Sequence, residues 1–133
     1  MKKIIYIALM ASFAACGEGK HALVPAENDL DAGREFVRAA LDGDFEKANF
    51  FLLKDSTNEL LIKQQEQNYR NQPAGVRSEY KEASIRIIER KTLDDSTSTF
   101  RYYQSANAKD TTTLRIVKKE GQWLVDLKSV IKM

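Results

Sequence analysis

The stretch TTTLRIVKKEGQWLVDLK, residues 111–128, decides the fold. Leu114 and Ile116 fall on one side of an extended chain, with Thr113, Arg115 and Val117 on the other. Successive side chains of a strand point to opposite faces, so this spacing predicts a strand with one apolar face. Glu120-Gly121 then breaks the run, close to the two-residue turn that hairpins favour. Beyond it Trp123, Val125 and Leu127 share one face, and Leu124, Asp126 and Lys128 share the other. A period of two on both sides of a tight turn predicts an antiparallel hairpin.

The same period extends backwards. In DDSTSTFRYYQSA, residues 94–106, a turn at Asp94-Asp95 leads into text rich in residues that favour sheet. Alternation there sets Phe100 and Tyr102 against Arg101 and Tyr103. A second turn is expected over Asn107 to Asp110. In YKEASIRIIER, residues 80–90, Ile85 and Ile87 share one face, opposite Ser84, Arg86 and Ile88. Four strands with short connections make an antiparallel meander.

Further back the period becomes helical. Phe36, Val37, Ala40 and Leu41 make one apolar face at three- and four-residue steps, with Asp31 a candidate N-cap and Glu35 near the positive end. Asp42-Gly43-Asp44 ends that helix, Gly43 by its access to the left-handed conformation, and Asp44 caps the next. Phe45, Ala48, Asn49 and Leu52 continue it. A third helix is expected from Ser56 or Thr57 toward Tyr69, stopped by NQPAG at 71–75. The apolar face of the sheet needs a cover, and these helices supply it. The expected class is α+β, with N-terminal helices packed into the concave side of a curved four-stranded antiparallel sheet. Phe36, Phe45 and Trp123 are its expected core aromatics.

The beginning of the chain has a different character. Lys2 and Lys3 precede an apolar run from Ile4 to Ala15. Twelve helical residues rise about 18 Å, short of the roughly 30 Å hydrocarbon core of a bilayer. Such a segment has the layout of a secretory signal peptide. Phe13, Ala14 and Ala15 stand directly before Cys16, the only cysteine, and this ending resembles the lipobox of bacterial lipoproteins. The resemblance implies that the Cys16 thiol takes a diacylglycerol and that cleavage falls before it. A buried N-terminal helix with a free thiol, or a signal peptide cut elsewhere, are the competing readings. The expected layout is a signal peptide at 1–15, a lipidated cysteine and tether at 16–28, and one domain at 29–133. An acylated Cys16 makes the membrane the first partner. Gly17 is not the aspartate that retains lipoproteins at the inner membrane in some bacteria, which points to the outer membrane, facing periplasm or surface.

Removing residues 1–15 leaves 118 residues, one domain, in which 19 basic residues balance 19 acidic ones. The net charge of +2 belongs to the whole chain. A near-neutral domain argues against nucleic acid as a partner. With Cys16 lipidated there is no thiol for a disulfide, a metal or nucleophilic catalysis. The single histidine, His21, lies on the tether. No metal and no cofactor are expected.

REFVRAALDGDFEKANFFL at 34–52 and VKKEGQWLVDLK at 117–128 together resemble the two ends of small bacterial lipoprotein domains with the nuclear-transport-factor-2-like, or cystatin-like, fold. The features that carry the resemblance are Gly43, Asp44 and Phe45, then Gly121, Trp123, Val125 and Asp126. It covers roughly residues 30–128. It implies a sheet wrapped around a conical cavity, which enzymes of this fold line with histidine, aspartate or tyrosine. Here the histidine–aspartate pair cannot be built from His21. The remaining candidates for ligand contact are Arg86, Arg101 and Arg115, one near the middle of each of three strands, with Tyr102 and Tyr103. If the registers match, the arginines form a cross-strand stripe able to hold a carboxylate or phosphate. The plainer reading is a solvated sheet face in which they alternate with Glu89 and Asp126. A non-catalytic, membrane-anchored binding or accessory protein of the cell envelope is therefore the first expectation, its small ligand or protein partner unnamed. A tyrosine/carboxylate enzyme and a structural homodimer are the alternatives.

Overall fold

A computed structural model of the chain describes residues 23–132. The expected signal segment, Cys16, His21 and most of the expected tether lie outside the described residues. Four helices come first: α1 (Asp29–Asp42), α2 (Phe45–Phe50), α3 (Ser56–Arg70) and α4 (Ala74–Glu82). Four strands follow: β1 (Ile85–Asp94), β2 (Thr97–Gln104), β3 (Asn107–Lys119) and β4 (Gln122–Lys132). They form one antiparallel sheet in the order β1-β2-β3-β4. The α+β class and the meander are those the alternating text predicts.

Each helix start has a local chemical cause. Asn28, not Asp31, caps α1, accepting from the Asp31 N–H at 2.8 Å. The Asp31 carboxylate reaches back to the Glu27 N–H at 3.0 Å, so Asp31 supplies the return half of a reciprocal cap. Gly43 closes α1 at φ 76°, in the left-handed region where a side chain is strained. Asp44 then caps α2 by accepting from the Lys47 N–H at 3.1 Å. Asp55 does the same for α3 through the Asn58 N–H at 2.8 Å.

Two expectations are corrected. The text after NQPAG is not a direct run into the first strand: Pro73 starts α4. No residue of α4 is buried, so it has no apolar stripe to announce it. Its C-terminal end is held from outside, by Arg38 of α1 donating to the carbonyls of Tyr80, Lys81 and Ala83 at 3.0, 3.1 and 2.6 Å. The second hairpin turn falls at Ser105-Ala106 rather than 107–110. The Ser105 hydroxyl accepts from the Ser84 N–H at 2.8 Å, and the Ser105 N–H donates to the Ser84 carbonyl at 2.9 Å.

The core lies between the helices and one sheet face. Ala32, Phe36 and Val37 of α1 and Phe45 and Ala48 of α2 meet Phe100, Leu114, Ile116 and Val125 from the strands. Gly33 permits the close approach, since a Cβ there would stand 1.8 Å from the Phe100 ring. Trp123 is half-buried at the margin of this core, with the Lys118 ammonium 5.7 Å over its ring, and does not fill the centre. The free side of β4 is partly covered. The Val125 N–H donates to the Phe51 carbonyl at 2.7 Å, and the Leu53 N–H donates to the Val125 carbonyl at 2.8 Å. On the opposite edge, β1 breaks register between Ile87 and Glu89 and again between Thr92 and Asp94. Bulges of this kind discourage edge-to-edge pairing.

Candidate functional site

Register places the predicted site residues of the strands, whereas Cys16 lies outside the described residues. Phe100 pairs with Leu114, and both are buried on the helix side. Residues opposite one another in an antiparallel pair share a face. Tyr102, opposite Ile87 and Thr112, therefore faces the helices with Phe100. Arg101 and Tyr103 face the other way. Arg86 is opposite Tyr103, Arg101 is opposite Thr113, and Arg115 lies two residues along from Thr113. All three arginines thus occupy the face without helices, on one diagonal.

The break at Ile88 rearranges what surrounds them. Strict alternation would place Arg90 on the same face as Arg86. The extra residue turns Arg90 inward instead, opposite Phe100, and brings Glu89 and Lys91 outward, opposite Arg101 and Thr99. Lys91, Thr99 and Arg115 then form one row across three strands, with Glu89, Arg101 and Thr113 in the next. Glu89, Lys91, Thr99, Arg101 and Thr113 line a surface hollow of about 170 Å³. Lys91 escapes a sequence reading because the bulge that turns it outward leaves no signal in residue spacing, whereas Thr99 and Thr113 follow from alternation with Arg101 and Arg115.

Charge on this face is unbalanced. Glu89 reaches the Arg101 guanidinium only at 3.8 Å. Asp126, opposite Arg115 in register, was expected at the solvent face or paired with a neighbouring basic side chain; it is buried, and the second reading holds through Lys128. Its carboxylate accepts from Asn58 of α3 at 3.2 Å and lies 3.4 Å from the Lys128 ammonium. Among the described residues Lys91, Arg86 and Arg115 have no ion-pair partner. The Nε atoms of Arg101 and Arg115 are buried without a hydrogen-bond acceptor.

The helix side of the sheet is occupied differently. Phe36 and Phe45 are buried in the packing. Burial pushes the Tyr102 hydroxyl up to about 12, Thr112 pulling against that and Asp110 adding to it. Tyr102 therefore keeps its proton at neutral pH. Asp29, not singled out by the sequence, is buried where α1 meets β1 and β2. It accepts from the Ser98 hydroxyl at 2.6 Å and from the Arg90 Nε at 3.2 Å. Burial alone would raise its carboxyl, but the Ser98, Arg90 and Leu30 donors outweigh it and hold it below the usual range. This cluster anchors a helix to the sheet.

A second hollow of about 210 Å³ lies among the helices, lined by residues that include Phe45, Gln65, Tyr69 and Tyr80. The Tyr69 ring packs edge-on to Phe45 at 5.8 Å, and its hydroxyl is buried without a partner. Among the described residues no cluster of three or more His, Cys, Asp or Glu side chains is placed to hold a metal ion. No described helix is long and apolar enough to cross a membrane.

No family model matches the chain, and no curated protein matches it. Among solved structures, an NTF-2-like protein of unknown function from Shewanella oneidensis MR-1 superposes with a TM-score of 0.52. The match covers 72% of this chain and 89% of that one, at 12% sequence identity. At that identity the likeness concerns the fold, an NTF2-like arrangement of helices on an open antiparallel sheet.

Proposed function

We propose that this chain is a non-catalytic binding module, held at a membrane of the cell envelope by lipid on Cys16, that engages its partner with the helix-free face of the sheet. The observation that carries this reading is the set Arg86, Arg101, Tyr103 and Arg115, delivered from three adjacent strands to a face that no helix covers. The opposite face is committed to the core. Arg101, Tyr103 and Arg115 are half-buried and Arg86 is exposed; arginine and tyrosine are the types enriched where proteins bind one another, because they combine broad contact with directed hydrogen bonds. The anchor reading rests on the lipobox-like ending FAAC at 13–16.

The homodimer alternative has the charge pattern against it. Pairing two copies of this face about a two-fold axis sets one surface with an excess of cations against another. The enzyme alternative needs a tyrosine beside an inward carboxylate in a pocket, and of its tyrosines Tyr102 holds its proton by burial while Tyr103 lies on the helix-free face.

Two measurements test the proposal. Cys16→Ala should move the chain from the membrane fraction to the soluble fraction, and persistence in membranes would remove the anchor. Chemical cross-linking of intact envelopes should give a discrete adduct that Arg101→Glu with Arg115→Glu abolishes. An adduct unaffected by that pair would move the binding surface elsewhere, and one of twice the chain mass would favour the homodimer.

A further inference from the structure

We infer that the hollow on the helix-free face is an anion subsite centred on Thr99, shaped for a compact, multiply charged oxyanion of the phosphate-monoester class. The inference rests on the binding face proposed above and names what that face recognises.

Lys91 and Arg115 flank Thr99 on either side in one cross-strand row. Neighbouring strands lie about 4.8 Å apart, which sets the two flanking backbones about 10 Å apart. Arg101 is two residues from Thr99 on the same strand and so on the same face, and Thr113 lies opposite Arg101. Diagonal neighbours of this kind are about 7–8 Å apart, within reach of long side chains. Two cations, Lys91 and Arg101, thus line the hollow with Thr99 and Thr113 as floor hydroxyls, and Arg115 stands beside it in the Thr99 row. Glu89, Lys91, Thr99, Arg101 and Thr113 all line the hollow of about 170 Å³. That size suits a single tetrahedral oxyanion, being well below the roughly 300 Å³ at which drug-sized pockets begin. Guanidinium and ammonium groups bind such oxyanions through short charge-assisted hydrogen bonds.

The acids that would neutralise the site are diverted or loosely held. Asp126 is turned to Asn58 and Lys128, which leaves Arg115 without a counter-charge among the described residues. Glu89 is the one carboxylate lining the hollow, and its 3.8 Å pair with Arg101 is longer than a hydrogen bond. A bound anion competes with Glu89 for Arg101. Arg86, although on the same face, stands a further row away beside Tyr103 and takes no part in the subsite.

The test is titration of the full chain with inorganic phosphate, read by backbone amide shifts and calorimetry, against chloride at matched ionic strength. Saturable shifts at Thr99, Arg101 and Thr113 are expected. Lys91→Ala and Arg101→Ala should each weaken binding about tenfold or more, Lys63→Ala, an exposed cation on helix α3, should change it less than twofold, and Glu89→Gln should strengthen it several-fold. Unchanged melting temperatures would show that the variants fold. Glucose 6-phosphate in a parallel arm should compete with phosphate. Anionic phospholipid vesicles that bind while free phosphate does not would overturn the subsite, as would equal effects of phosphate and chloride, or weaker binding in Glu89→Gln. If phosphate fails but the envelope adduct still depends on Arg101 and Arg115, the oxyanion assignment falls and the binding face stands.

Discussion

Asp29 shows how one buried carboxylate can tie two layers together. It opens α1, yet its partners Arg90 and Ser98 lie on β1 and β2, more than sixty positions away. Replacing it with asparagine removes charge-assisted bonds and leaves Arg90 without its acid, a loss of about 1–3 kcal/mol that urea unfolding at neutral pH would measure. Its folded carboxyl titrates below the ordinary value, so the unfolded chain binds the proton more readily. Its contribution is therefore complete above about pH 4 and is lost as acid carries the pH down through the folded value. The stability gap between wild type and Asp29→Asn should narrow over that interval; a gap independent of acid would show that the charge is not what stabilises. Gly33 gives a second residue-scale expectation. Gly33→Ala drives a methyl into the Phe100 ring and should lower stability by about 1–3 kcal/mol in thermal melts.

At the scale of elements, the hairpin that decides the fold carries its own strain. Glu120 adopts φ 51° and Gly121 φ 79°, the paired left-handed turn for which Asn-Gly is the preferred sequence. Glu120→Asn should raise stability, by no more than about 1 kcal/mol, with the register of β3 and β4 unchanged by amide shifts. Helix α4 is the opposite case, held from outside by Arg38. Arg38→Ala should speed hydrogen exchange in residues 74–82 while leaving the α1 core amides protected. These contrasts explain what the sequence could and could not disclose. Alternation and capping residues announce α1 to α3, the strands and the Glu120-Gly121 turn. Helix α4 buries none of its side chains, so no periodicity marks it, and Pro73 reads equally well as a stop or a start. The turn at Ser105-Ala106 was masked by Asn107 and Asp110, which have turn chemistry but lie within a strand beside a register break. The candidate site was legible in part. Arg86, Arg101 and Arg115 do share a face, whereas the participation of Lys91 and the inward turn of Arg90 depend on a bulge at Ile88.

For the whole molecule, the two sides of the sheet have different occupations. The helices take the apolar side, and the segment 51–53 pairs along part of the β4 edge. What remains open is a polar face with more positive than negative side chains and a hollow at its middle. With lipid on Cys16, as proposed, residues 17–28 can span at most about 40 Å between the bilayer and α1. The most direct test of the account places a photo-activatable cross-linking residue at position 103, on the open face, and in a second protein at position 66, on helix α3. Irradiated envelopes should give a discrete adduct from position 103, absent from position 66 and lost when Arg101 and Arg115 are reversed in charge. An adduct from position 66 and none from position 103 would contradict the account.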